Sequence, residues 1–141
     1  YELVVPLAQS EIMLIVSDEH PFASEDSVAF AQIATEPFIG PKAEYGIFNQ
    51  MPHLNRLPLQ FRYEVSSQTT ILAMVRENLG ISMMPEMLFD TRSDGVTAVP
   101  FTPALYLRVA LAAHVSSPAA DAFLQTAHGW AAAHGYLPDD A

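Results

Sequence analysis

Five histidines and one serine are the side chains in this sequence that are best suited to metal binding or nucleophilic catalysis. The histidines show neither the His-x-x-x-His nor the His-Glu-x-x-His spacing that places two imidazoles on one helix face, so we expect no metal site. Ser82 follows Gly80 as in a nucleophile elbow, but the second glycine is missing and the sequence around it predicts a strand. The histidines are His20, His53, His114, His128 and His134.

Other motifs of catalysis and cofactor binding are also absent from the sequence. There is no Walker loop, no Gly-x-Gly-x-x-Gly and no close pair of carboxylates within an apolar run. The chain contains no cysteine, which excludes disulfides, a thiolate nucleophile and cysteine-ligated zinc. We therefore predict that the chain is not an enzyme and that it binds no cofactor. The lack of cysteine also fits a reducing cytosol, and we expect a cytoplasmic protein.

The composition indicates one soluble globular domain. Of the 141 residues, 50% are hydrophobic and 16% are charged, so a buried core can form. The 6 basic and 16 acidic side chains give a net charge of −10. Such a surface repels phosphate groups, and the arginines are scattered, so we expect no direct binding of DNA.

The longest apolar run, residues 12–16, is far shorter than the ~20 residues of a membrane span. The chain begins with Tyr1 in a strand pattern, as expected of a piece of a longer protein.

The hydrophobic pattern predicts strands that alternate with helices. Residues 11–17 and 105–113 have the apolar character of long strands, and residues 43–55 have roughly helical spacing. Ser117-Pro118 is typical of a helix start, and Gly135 is typical of a helix end. The residues that we expect this last helix to bury are Phe123, Leu124, Ala127, Trp130 and Ala131.

Residues 61–85 predict one β-α-β unit. The alternating run 61–65 is typical of a strand, and Ser66 or Ser67 is suited to cap the helix that follows. We expect Gly80 to end that helix in the left-handed conformation, just before a strand over 81–85. A β-α-β unit implies a parallel sheet. The apolar stripe predicted for the helix is Ile71, Leu72, Val75 and Leu79.

Three stretches, in this order, resemble the effector-binding domain of LysR-type bacterial transcriptional regulators. The first is Pro6-Leu7 with residues 12–23, which is similar to that family's strand and His-Pro-Leu-Ala type turn. The second is residues 36–39, Glu-Pro-Phe-Ile, with Pro-Lys-Ala at 41–43. The third and most specific comprises residues 63–65, 70–75 and 79–86. The similarity covers nearly the whole chain.

The resemblance implies an α/β fold of the periplasmic-binding-protein-like type 2, with flanking helices and an incomplete first subdomain. It assigns residues 18–105 to the second subdomain. It assigns residues 1–17 and 106–141 to the crossover strands and last helix of the first subdomain. Because the opening strands of that subdomain are missing, residues 12–16 and 107–113 are expected to lack sheet neighbours. Those edges are then either covered by another segment or exposed.

The resemblance also implies a function. Regulators of this family bind a small-molecule effector between two subdomains, form homo-oligomers such as dimers or tetramers, and bind DNA through an N-terminal helix-turn-helix. That helix-turn-helix is absent from this sequence, so any contact with DNA depends on a domain outside it. Two alternatives remain: a secreted solute-binding protein of a transport system, or a small α/β enzyme. A signal peptide upstream would favour the first, and the second requires a nucleophile or base that the sequence does not show.

The candidate ligand site lies where parallel strands end. In open α/β sheets ligands bind beyond the carboxyl ends of the strands, next to loops and helix N-termini. Lys42, the only lysine, is suited either to balance the charge of a carboxylate effector or to remain a solvated loop residue. Tyr45 either closes the pocket or belongs to the core, while Met83 is expected in the core and Met84 in the pocket wall. The candidate ligand-binding residues are Gly40, Pro41, Lys42, Tyr45, Ser66, Gln68, Thr69, Met84 and Pro85.

Overall fold

The computed structural model of the chain describes residues 1–41, 59–90 and 94–137. The chain forms two compact units: the larger is Glu11–Leu105, and the smaller combines Tyr1–Ser10 with Tyr106–Ala141. Strand β1 (Leu3–Ser17) begins in the smaller unit and ends in the larger one. The helix predicted over residues 43–55 lies outside the described residues.

The larger unit is a mixed α/β structure. Its further elements are a 3₁₀ turn (Pro21–Ser24), α1 (Phe30–Ile33), β2 (Pro37–Gly40), β3 (Gln60–Glu64), α2 (Gln68–Arg76), β4 (Ser82–Pro85), a second 3₁₀ turn (Glu86–Leu88) and β5 (Val96–Pro100). None of the helices in the described part of the chain has both the length and the apolar composition that a membrane span requires.

The second half of β1 lies at the centre of the sheet in the larger unit. It pairs antiparallel with β4 on one side and antiparallel with β5 on the other. The residues of this stretch that are completely buried are Ile12, Leu14, Ile15 and Val16. Full burial of each such side chain contributes about 1.5–3 kcal/mol. Of the two outcomes expected for residues 12–16, covered edges or exposed edges, the structure shows the first, because β4 and β5 cover both edges of this stretch.

The predicted β-α-β unit is present as β3, α2 and β4. Strand β3 pairs in parallel with β2, and β2 has a parallel bridge to Ile81 at the start of β4. The Ile39 N–H donates to the Ile81 carbonyl at 2.8 Å, and the Ile81 N–H donates to the Pro37 carbonyl at 2.9 Å. The prediction of parallel strands is thus correct for this half of the sheet. The half around β1 is antiparallel, because β1 crosses in the opposite direction.

Helix α2 buries a narrow apolar face. Ile71 and Val75 are buried and pack in one cluster with Ile15 and Ile39. Leu79, which we expected in the same stripe, is 44% exposed. It lies outside the stripe because the helix already ends at Arg76, so the helical spacing no longer determines where Leu79 points.

The residue that ends α2 differs from the prediction. Asn78, not Gly80, adopts the left-handed conformation, with φ of 59°. Asparagine tolerates this region better than most residues with a side chain. Gly80 is required for a different reason, since a Cβ there would lie 2.6 Å from the Pro37 carbonyl oxygen and 3.0 Å from Ile39 Cγ1. The absence of a side chain at Gly80 therefore allows β2 to approach the start of β4.

The smaller unit contains the first part of β1, strand β6 (Tyr106–Ala113) and helix α3 (Pro118–Ala133). Strand β6 pairs with β1, so one edge of residues 107–113 is likewise covered by another segment. The Ser117 hydroxyl accepts a hydrogen bond from the Ala120 N–H at the start of α3, and Pro118 occupies the first turn, as predicted. The helix ends at Ala133, and Gly135, just beyond the cap residue His134, has the left-handed conformation expected of a helix stop, with a φ of 73°.

Helix α3 buries fewer residues than its sequence predicts. Leu124 and Ala131 are buried, but Phe123 is 65% exposed and Trp130 is 55% exposed. Trp130 stacks on His134 and Tyr136, with ring centroids 4.2 and 5.5 Å away. Phe123, Trp130 and Tyr136 border an apolar groove of about 430 Å³. The other residues that line the groove are Leu7, Ala8, Leu111, Ala127 and Ala131.

The close approach at Gly80 leads to a stability prediction. Gly80→Ala should lower the free energy of unfolding by about 1–3 kcal/mol, because the new methyl group overlaps the Pro37 carbonyl. Gly129→Ala, in the open middle of α3, is the matched control, since a Cβ there has no neighbour within 4 Å. It should be neutral or stabilising by up to about 1 kcal/mol. Urea unfolding followed by circular dichroism measures both variants, and equal midpoints for Gly80→Ala and the wild type would contradict the packing described.

Candidate functional site

The ends of β2, β3 and β4 lie along one edge of the sheet in the larger unit. Because β2 and β3 are parallel, Gly40 at the end of β2 lies beside Glu64 at the end of β3. The Val65 N–H donates to the Gly40 carbonyl at 2.8 Å, and this hydrogen bond connects the ends of β2 and β3. The structure therefore brings the predicted residues Gly40 and Ser66 to the same edge.

Helix α2 begins at this edge. Ser67 is its N-cap, and the Ser67 hydroxyl accepts a hydrogen bond from the Thr70 N–H at 3.4 Å. The sequence predicts Ser66 or Ser67 as the cap, and in the structure the cap is Ser67. The N–H groups of Gln68 and Thr69, the first two residues of the helix, have no partner within a helix of this geometry. Together with the helix dipole they favour a negative group at this end of α2.

The Gln68 side chain connects α2 to the end of β4. Its Nε2 donates to the Leu88 carbonyl at 2.7 Å and lies 3.7 Å from Met84 Sδ. Gln68 and Met84, two predicted site residues, are therefore in contact, and Pro85 is the next residue of β4. Leu88 was not predicted to take part. It contributes only a backbone carbonyl, and residue type gives no signal for such a role.

The candidate residues differ in how much of their surface a ligand can reach. Ser66 and Thr69 are exposed, and Pro41 and Gln68 are half-buried. Gly40, Met84 and Pro85 are buried, so they can shape the edge but offer little surface for contact. Met83 is also buried, in agreement with its expected place in the core. Lys42 and Tyr45 lie outside the described residues.

Comparison with protein families gives one extensive match. The model of the LysR substrate binding domain family matches residues 3–132. Among curated relatives, the malolactic fermentation system transcriptional activator of Lactococcus lactis is 30% identical over 98 residues, which cover 67% of this chain and 34% of the relative. The HTH-type transcriptional regulator YtlI of Bacillus subtilis is 32% identical over 99 residues, which cover 67% of this chain and 32% of the relative. The chain thus spans about a third of these relatives' length.

Solved structures share the fold. The reduced form of OxyR superposes with a TM-score of 0.76 at 23% identity, covering 92% of this chain and 63% of that chain. The effector-binding domain of QuiR in complex with shikimate gives a TM-score of 0.69 at 22% identity, covering 94% of this chain and 66% of that chain. The predicted periplasmic-binding-protein-like α/β fold is therefore confirmed.

The capping of α2 provides a test of the site's geometry. Ser67→Ala should lower the free energy of unfolding by about 1 kcal/mol, because the Thr70 N–H loses its acceptor. Ser66→Ala is the control, since the neighbouring serine does not cap the helix, and its effect should stay within about 0.5 kcal/mol. Thermal denaturation of the three proteins under one condition measures both effects. A larger loss for Ser66→Ala than for Ser67→Ala would place the start of α2 one residue earlier.

Proposed function

The chain belongs to the LysR substrate binding domain family, and from this premise we propose that it is the effector-sensing part of a bacterial LysR-type transcriptional regulator. The observation that carries this proposal is the convergence of Gly40, the first turn of α2 and the end of β4 at one edge of the sheet, through the Val65 and Gln68 hydrogen bonds. The curated relatives are transcriptional regulators, which favours this function over a transport-linked solute-binding protein and over an enzyme.

The proposed effector is a small molecule with a carboxylate. The N–H groups of Gln68 and Thr69, which have no partner within α2, are suited to donate hydrogen bonds to it, and Lys42, two residues after the end of β2, supplies a positive charge in a chain of net charge −10. Ser66, Gln68 and Thr69 are candidate residues whose polar side chains have accessible surface at this edge. Gly40, Pro41, Tyr45, Met84 and Pro85 complete the proposed binding set. The effector-binding domain of QuiR, which shares this fold, was solved in complex with shikimate, a small carboxylate, and this supports the proposal.

The proposed signal is a shift between alternative arrangements of a homo-oligomer. An effector changes such an equilibrium only if it binds one arrangement more tightly than the other. We propose a dimer or tetramer in the cytoplasm, which binds DNA through an N-terminal helix-turn-helix outside this sequence. We further propose that residues 18–105 form the second effector subdomain, while residues 1–17 and 106–141 supply the crossover strands and last helix of the first.

Lys42 provides the test of a carboxylate effector. A ligand at a hundred times its dissociation constant stabilises the folded protein by about 2.7 kcal/mol, so a thermal-shift screen of small carboxylates and aromatic acids should find stabilising compounds. Lys42→Ala should weaken their binding about tenfold, because a charge-assisted hydrogen bond is lost.

Arg62→Ala is the matched control for this experiment. It removes the same unit of positive charge from an exposed position on β3. The control should retain the thermal shifts of the wild type. Equal shifts for wild type and Lys42→Ala would contradict the role of Lys42.

A further inference from the structure

His20 is a nearly buried histidine in the turn that follows β1. Its side chain is 8% exposed, and its ring centroid lies 4.9 Å from that of the Phe22 ring. Nδ1 accepts a hydrogen bond from the Phe22 N–H at 3.0 Å, so the ring caps the 3₁₀ turn Pro21–Ser24. Nε2 lies 3.2 Å from Glu36 Oε2. Because Glu36 directly precedes β2, the ring connects the turn to the start of that strand.

These contacts determine which ring nitrogen carries the proton. The Phe22 N–H can only donate, so Nδ1 must hold a free lone pair. The Glu36 carboxylate can only accept, so the ring proton lies on Nε2. The turn therefore requires a neutral His20 in the Nε2–H form.

Proton uptake by His20 removes the cap of this turn. The second proton enters at Nδ1 and takes the lone pair that the Phe22 N–H uses, so that two N–H groups face each other. The contact with Glu36 remains and becomes an ion pair. We propose that His20 is a pH-sensitive switch, which holds the Pro21–Ser24 turn closed when it is neutral and opens the turn when it is protonated.

The charged groups around the ring are carboxylates. Glu36 contacts the ring directly, and β5, which packs on the turn, has no ionisable side chain. Asp18 accepts a hydrogen bond from the Thr97 hydroxyl. The carboxylates next to the turn along the chain are all exposed: Asp18, Glu19, Glu25 and Asp26. Because exposed carboxylates ordinarily lose their protons near about pH 4, a response of the cap at higher pH is expected from the imidazole ring.

The proton position can be measured by NMR on the 141-residue chain. At about pH 8, the ring ¹⁵N shifts of His20 should show a protonated Nε2 and an unprotonated Nδ1. His128 and His134 are internal references, because Nδ1 of each lies 2.9 and 2.8 Å from a backbone carbonyl, which can only accept. These two rings should show the reverse pattern. A proton on Nδ1 of neutral His20 would overturn the proposal.

The cap itself can be followed as the pH is lowered. A scalar coupling between the Phe22 amide nitrogen and His20 Nδ1 should be present at about pH 8 and absent at about pH 5, the range in which histidine ordinarily changes charge. The protection factor of the Phe22 amide should fall about fivefold over this range, the factor that one net hydrogen bond provides. A coupling that persists at the lower pH, or a His20 ring that stays neutral there, would rule out the switch.

His20→Asn separates capping from titration. Asparagine is a common N-cap, so this variant can still accept from the Phe22 N–H, but it has no proton to gain in this range. Its Phe22 protection should therefore stay constant as the pH is lowered. His128→Asn, in the other unit, is the matched control and should retain the fivefold response of the wild type, about one hydrogen bond in size. A response of Phe22 that survives in His20→Asn would show that another group causes it.

Discussion

The close contact between β2 and the residues that precede β4 is the constraint on which the candidate site depends. Gly80 has no side chain, so the Pro37 carbonyl can approach it and accept a hydrogen bond from Ile81. This contact brings β2 next to the strand that ends the β-α-β unit, while β3 lies on the other side of β2. Because these strands run in the same direction, their carboxyl ends share one edge. Without the contact, Gly40 at the end of β2 and the end of β4 would have no fixed separation.

Hydrogen bonds hold the first turn of α2 in place at this edge, and the proposed ligand position is next to that turn. Ser67 caps the helix, and Gln68 ties its first turn to the Leu88 carbonyl, so both side chains already have a structural role. The N–H groups of Gln68 and Thr69 have no partner within the helix. The helix fixes their orientation before any ligand binds.

Local features of the structure could be predicted from the sequence, and features that depend on distant partners could not. The cap at Ser117, the helix end at Gly135 and the alternation along β3 follow from residue type and spacing alone. The strands that pair with β1 are β4, β5 and β6, all far from it along the chain, and no local sequence pattern indicates these pairings. Phe123 and Trp130 have the spacing of a buried stripe, but burial requires a layer over α3, and helical spacing does not show whether one is present.

The candidate site, like the fold, could be predicted in part from the sequence. The rule that ligands bind at the carboxyl ends of parallel strands placed Ser66, Gln68 and Met84 at one edge, and the structure has them there. The orientation of the Gln68 amide was not predictable, because the carbonyl that determines it belongs to Leu88, twenty residues further along the chain. A contact made by a backbone atom does not depend on the residue type, so the sequence does not indicate it.

Net charge limits which groups can hold an anion at this edge. A chain of charge −10 repels anions at long range, but at physiological ionic strength this repulsion is screened over about 8 Å. Groups in direct contact with the ligand therefore decide its affinity.

Arg76, at the far end of α2, already donates through Nε to the Asp94 carbonyl at 2.8 Å, so it is engaged away from the edge. The backbone N–H groups of the first turn carry partial positive charge that does not depend on pH, and no side-chain rotamer has to be fixed when they bind. In an acidic protein with one lysine, they are donors suited to the carboxylate site that we propose.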